Sequence, residues 1–130
     1  MSRDLKMNLK IASVSASRPD DRDLIDIVYT DTPENVEIHN TTVGTSSMNV
    51  SVAGFPTGAS IDYVVVYNTD ETNYVTFTFT NVAAASSAHR VGPGKVGVFP
   101  DVSRSVTPTL QANTAACLCK IIIIGDDAEA

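Results

Sequence analysis

A chain of 130 residues, 43% hydrophobic and 18% charged, suits one domain around one core and is too apolar for a disordered acidic segment. Its net charge of −6 counts against binding a phosphate backbone through clustered Lys and Arg. No apolar run approaches the ~20 residues of a membrane span, and the candidate Ile121 to Ile124 is strand-sized. The N-terminus spreads Arg3, Asp4, Lys6 and Lys10 through a segment with no apolar secretory stretch. The expectation is a protein that stays in the cytoplasm where it is made, or leaves it inside something larger.

The apolar period is 2 almost throughout, which is the signature of strands. Leu5, Met7, Leu9 and Ile11 alternate with polar residues, and the phase slips at Ala12, so a bulge or a departing N-terminal arm is expected there. Residues 18–24 are the least strand-like, with Pro19 before Asp20 and Asp21 fit to cap a helical turn. Strand resumes through Ile25, Ile27 and Tyr29, and residues 32–35 read as a turn. Val36, Ile38 and then Met48, Val50 and Val52 make two further strands, followed by breakers between Gly54 and Gly58.

The second half is stronger. The run from Ile61 to Tyr67, broken only by Asp62, reads as a central strand covered on both faces. Across a polar turn it meets Val75, Phe77 and Phe79, and the two segments form the best hairpin candidate. Residues 82–88 suit a loop or a short helix. Gly92, Pro93 and Gly94 mark a tight turn before a short strand with Val96 and Val98, ended by Phe99 and Pro100. The last strand covers roughly residues 115–124. The expected architecture is all-β: an antiparallel two-sheet sandwich or jelly roll of about eight short strands over residues 1–124, with 1–11 a candidate arm and 125–130 an acidic tail. The expected core is Val64, Val66, Val75, Phe77, Phe79, Val96, Val98, Leu118, Ile121 and Ile123.

The residues that carry chemistry are few. His39 and His89 stand some fifty positions apart, and Cys117 and Cys119 are spaced C-x-C within a strand, unlike a C-x2–4-C zinc site. Residues two apart in a strand lie roughly 6.5–7 Å apart, at the limit for a disulfide, so both thiols read as reduced core residues. The acidic pairs Asp20-Asp21, Asp70-Glu71 and Asp126-Asp127 fall in turns or the tail, where carboxylates cap backbone amides. Asp62 is either solvated at a strand start or buried beside an Arg. Tyr29, Tyr63, Tyr67 and Tyr74 suit the rim of a sandwich better than a stacking platform. No catalytic, metal or cofactor site is expected.

Three segments together resemble a known group of proteins. They are Tyr63-Val-Val-Val-Tyr-Asn68 with Asn73-Tyr-Val-Thr-Phe77, Arg90-Val-Gly-Pro-Gly-Lys-Val-Gly-Val-Phe-Pro100, and Leu110-Gln-Ala-Asn-Thr-Ala-Ala-Cys-Leu118 with the closing isoleucines. Their order resembles small β proteins of tailed-bacteriophage virions over roughly residues 61–124, departing from that pattern at Cys117-Leu-Cys-Lys120. The resemblance implies a non-enzymatic virion component made in the host cytoplasm. A capsid decoration (cement) protein is the first choice, and a neck, tail or fibre piece with a carbohydrate-binding role is the alternative. The implied partners are the major capsid protein or other virion proteins, with homo-oligomers and without nucleic acid or membrane. Leu5, Met7, Leu9 and Ile11 are the expected partner-binding residues, either as an arm added to another chain's sheet or as the first strand of the chain's own sandwich.

Overall fold

The computed structural model describes residues 5–13, 22–31, 35–55, 61–81 and 83–125. The chain divides into two compact units, 1–33 and 34–130. The first holds an antiparallel ribbon of β1 (Leu5–Ser13) and β2 (Arg22–Asp31). Met7 pairs with Tyr29, Leu9 with Ile27 and Ile11 with Ile25, and the register shifts between Ile11 and Ala12, where the apolar phase slips. Strand already begins at Arg22, so only 18–21 of the expected capped turn remain, and they lie outside the described residues. So do 32–34 of the expected turn, 56–58 of the breaker cluster, and the tail from residue 126.

The second unit contains β3 (Asn35–Val43), β4 (Met48–Asn49), β5 (Ile61–Asn68), β6 (Val75–Thr80), β7 (Ser86–Val91), β8 (Val96–Val102), β9 (Thr109–Ala112) and β10 (Cys117–Gly125). They form two antiparallel four-stranded sheets, ordered β3-β10-β5-β8 and β4-β9-β6-β7. β3 pairs with β10, β4 with β9, β5 with β8 and β6 with β7. The second unit is thus one long hairpin, folded between β6 and β7, whose arms roll up when β5 meets β10 and β6 meets β9. That winding is a jelly roll, the more specific of the two expected architectures.

The inner faces carry the core. Val64, Val66, Val75, Phe77, Phe79, Ile121 and Ile123 are buried there as expected, joined by Val43, Phe55, Val102 and Leu110. Val96, Val98 and Leu118 are not; all three face outward and are exposed. In β10 the inward positions belong to Cys117, Cys119, Ile121 and Ile123, and a strand turns its neighbours the other way, which puts Leu118 outside. In β8 the inward positions are Gly97 and Phe99. The Phe99 ring lies over Gly97, where an added Cβ would come within 2.6 Å of it, and packs at 4.8 Å from Phe77 and 5.6 Å from Phe79. One ring folded back over a glycine fills the space that two valines were expected to fill.

The expected β5–β6 hairpin is also corrected, because these strands belong to different sheets. The segment between them is a corner from one sheet to the other, built on Asn68. Its side chain is fully buried, and its Nδ2 donates to the carbonyls of Asn73 (2.9 Å), Val91 (3.2 Å) and Gly92 (3.2 Å). Its Oδ1 accepts from the Asp70 amide at 3.0 Å. One side chain thereby ties the corner to the end of β7 and the turn after it.

Two further expectations shift. Strand β8 does not end at Pro100 but runs to Val102, with Pro100 paired to Tyr63 on an edge strand, where a missing N–H is tolerated. Asp101, at φ 55°, switches the inward residue from odd to even between Phe99 and Val102. Of residues 82–88, expected as a loop or a short helix, 83–85 form a turn closed by Asn81, whose Oδ1 accepts from the Ala83 and Ala85 amides, whereas 86–88 belong to strand β7. The turn at Gly92, Pro93 and Gly94 is as expected, with the Lys95 amide donating to the Gly92 carbonyl and Gly94 at φ 69°.

Candidate functional site

Each of the four sheet edges carries a feature that discourages a further strand from adding. β4 is two residues long, and β8 contains Pro100. β3 turns Glu37 and His39 toward the sandwich, their side chains paired at 3.1 Å. The Asn35 side chain donates to the Gly54 carbonyl, and a Cβ at Gly54 would collide with the Glu37 carboxylate, so the backbone closes directly over it. β7 turns His89 inward against Phe79 and Phe99, at ring separations of 5.6 and 5.3 Å. A groove of about 340 Å³ opens between β3 and β4, lined in part by His39, Thr41, Met48, Val50 and Ile121.

The two histidines therefore sit at opposite open edges of the sandwich, and neither joins the cysteines. Among the described residues no group of three or more His, Cys, Asp or Glu side chains is placed to hold a metal ion. Cys117 and Cys119 are free and buried on the inner face of β10. Burial raises both thiol pKa values, that of Cys119 to about 11. Because the thiolate is the reacting species, the folded protein should label with a thiol reagent only as fast as it opens. Reductant and chelator should leave its melting temperature unchanged; a drop on adding chelator would show a bound metal.

The remaining candidates are dispersed. Asp70 caps its own turn, accepting from the Thr72 and Asn73 amides, and those bonds hold its carboxyl below the usual value. Asp62 is half-buried at a bulge, where Ile124 pairs with Tyr63 and Gly125 with Ile61. Tyr63 and Tyr67 share the outer face of β5, while Tyr74 lies on the other sheet beneath the Arg90 guanidinium, 3.8 Å from its ring centre. Tyr29 belongs to β2 of the first unit. Leu5, Met7, Leu9 and Ile11 lie in β1, opposite Asp31, Tyr29, Ile27 and Ile25 of β2.

The outer faces of the two sheets differ sharply. On β4-β9-β6-β7 the register brings together Thr76, Arg90 and Gln111, then Thr78, Ala88 and Thr109, an ordinary solvated face. On β3-β10-β5-β8 one row across all four strands reads Ile38, Ile122, Val65 and Val98. The next reads Asn40, Lys120, Tyr67 and Val96, and Leu118 lies beyond Lys120. Ile38 (59%), Val96 (56%), Leu118 (56%), Val98 (49%) and Tyr67 (40%) are exposed. A contiguous apolar face of this kind on a folded domain marks an interaction surface.

The sequence reading missed this surface by assigning three of its residues to the core. The signal was present in β5, whose apolar residues occupy both faces although only Ile61, Val64 and Val66 among them are buried. Comparison of the chain with protein-family models, curated proteins and solved structures finds no match.

Proposed function

We propose that the protein is a non-enzymatic structural component of a tailed-bacteriophage particle, a capsid decoration protein that binds and stabilises other particle proteins. One observation carries the binding role: a four-stranded sheet presents aliphatic side chains to solvent where its companion sheet presents Thr, Gln and Arg. Burying such a face is favourable by roughly 25 cal/mol per Å² of apolar surface. The blunted sheet edges support docking through the face rather than by strand addition. The jelly roll is compatible with this role but hosts many others, so it adds little weight. The virion assignment rests on the resemblance over residues 61–124 and on the thiols being reduced, as in a cytoplasmic origin.

The test uses gradient-purified particles and labelled protein. The protein should be a stoichiometric particle component, with label over the shell. Val98→Asp, which alters an exposed residue, should keep its melting temperature and lose particle binding. Absence from particles, or undiminished binding by the variant, overturns the reading.

A further inference from the structure

We propose that the apolar sheet face pairs with the same face of a second copy, about a two-fold axis running along the strands between β10 and β5. The inference rests on the face being a protein-binding surface and names what covers it in the free protein, in a pair that gives way when the face docks on a particle.

The register decides the geometry. Turning a second copy over about that axis places its β5 over β10 and its β8 over β3, each residue keeping its row. Ile122 then meets Val65 of the second copy, and Ile38 meets its Val98. Lys120, the one charge in these two rows, meets Tyr67 of the second copy, whose ring can receive the ammonium while the lysine stem packs on apolar neighbours. An axis across the strands would exchange rows instead and seat the ammonium over Ile122 of β10 or over its own counterpart, burying a charge without a partner. The face is therefore self-complementary in one of the two orientations.

The charge distribution agrees with this occupant. The chain carries a net −6, yet the two rows contain no carboxylate, so the repulsion between copies lies away from the contact. Four strands ~4.8 Å apart and three rows ~6.8 Å apart give roughly 400 Å² of flat sheet per copy. A standard interface takes about 800 Å² from each partner, so the pair is weak and dissociates readily. Stacked sheets pack about 10 Å apart, and these two would do so across the copies.

Sedimentation equilibrium of the full chain, from about 10 μM to about 1 mM, reads the dissociation constant directly. Wild type should show a monomer–dimer equilibrium. Val98→Asp and Lys120→Glu should each weaken it by about tenfold or more with unchanged melting temperature; Tyr67→Phe should preserve it and Tyr67→Ser should not. A monomer throughout, or a dimer indifferent to Val98→Asp and Lys120→Glu, overturns the proposal. Particle co-sedimentation of the same proteins separates it from the reading beneath it. A monomeric wild type whose particle binding is nevertheless abolished by Val98→Asp removes the second copy and leaves the protein-binding role standing. A Val98→Asp protein that keeps both dimer and particle binding removes both.

Discussion

Phe77→Ala should destabilise the protein by about 3–5 kcal/mol, a large part of the ~5–15 kcal/mol available to a domain of this size. Phe77 is fully buried at the centre of an aromatic group, its ring 5.3 Å from Phe79 and 4.8 Å from Phe99. Truncation removes its transfer free energy and leaves a cavity that its neighbours cannot easily fill. Leu110 is held opposite by the β6–β9 ladder, and Phe99 is already folded over Gly97. Urea denaturation should show a lower midpoint with an unchanged slope. A loss under about 1 kcal/mol would mean that Phe99 swings into the space, and the Phe77→Ala, Gly97→Ala double variant would then be non-additive.

Asn68→Ala should cost about 2–4 kcal/mol, although it removes little apolar surface. The amide's two N–H donors serve three carbonyls, and its oxygen holds the Asp70 amide. Alanine leaves those groups without their partner at a position closed to solvent. Asn68→Asp is the sharper variant because it is nearly isosteric. Its carboxylate would be buried against the same carbonyls, so its folded-state pKa would lie above the unfolded value. A group with a raised folded pKa contributes most when protonated, so this variant should be most stable at acid pH and lose stability as pH rises. Equal stability of Asn68→Asp and wild type at neutral pH would show that the corner is held by something else.

The alternating pattern made the strands legible, since period-2 burial is imposed by backbone geometry wherever one face meets a core. The bulge after Ile11 and the turn at Gly92–Gly94 were legible for the same local reason. What pattern alone does not decide is which of two apolar faces turns inward. Val96 and Val98 offered one choice and Phe99 the other, and the outcome depended on Gly97 leaving room for a ring from two residues away. Likewise the polar stretch after Asn68 is long enough either to reverse within one sheet or to cross to another. The crossing is anchored by carbonyls of residues 91 and 92, more than twenty positions away, which no local reading reaches. The candidate site stayed hidden for a related reason: exposed aliphatic residues look like core until the sheet's inner face is known to be filled by others.

The position of β10 has a consequence for how the chain is made. This strand lies between β3 and β5, bonded to both, although it is the last of the eight to leave the ribosome. Until Cys117–Gly125 has emerged, β3 has no neighbour in its sheet and the inner residues of β5 lack Ile121 and Ile123 beside them. The sandwich can therefore close only after synthesis of this segment, with pairings far apart in sequence, a topology that folds on the millisecond-to-second scale. A chain stopped before Cys117 would expose a row of unsatisfied strand amides during its lifetime and should be cleared or aggregate rather than persist as a partial fold.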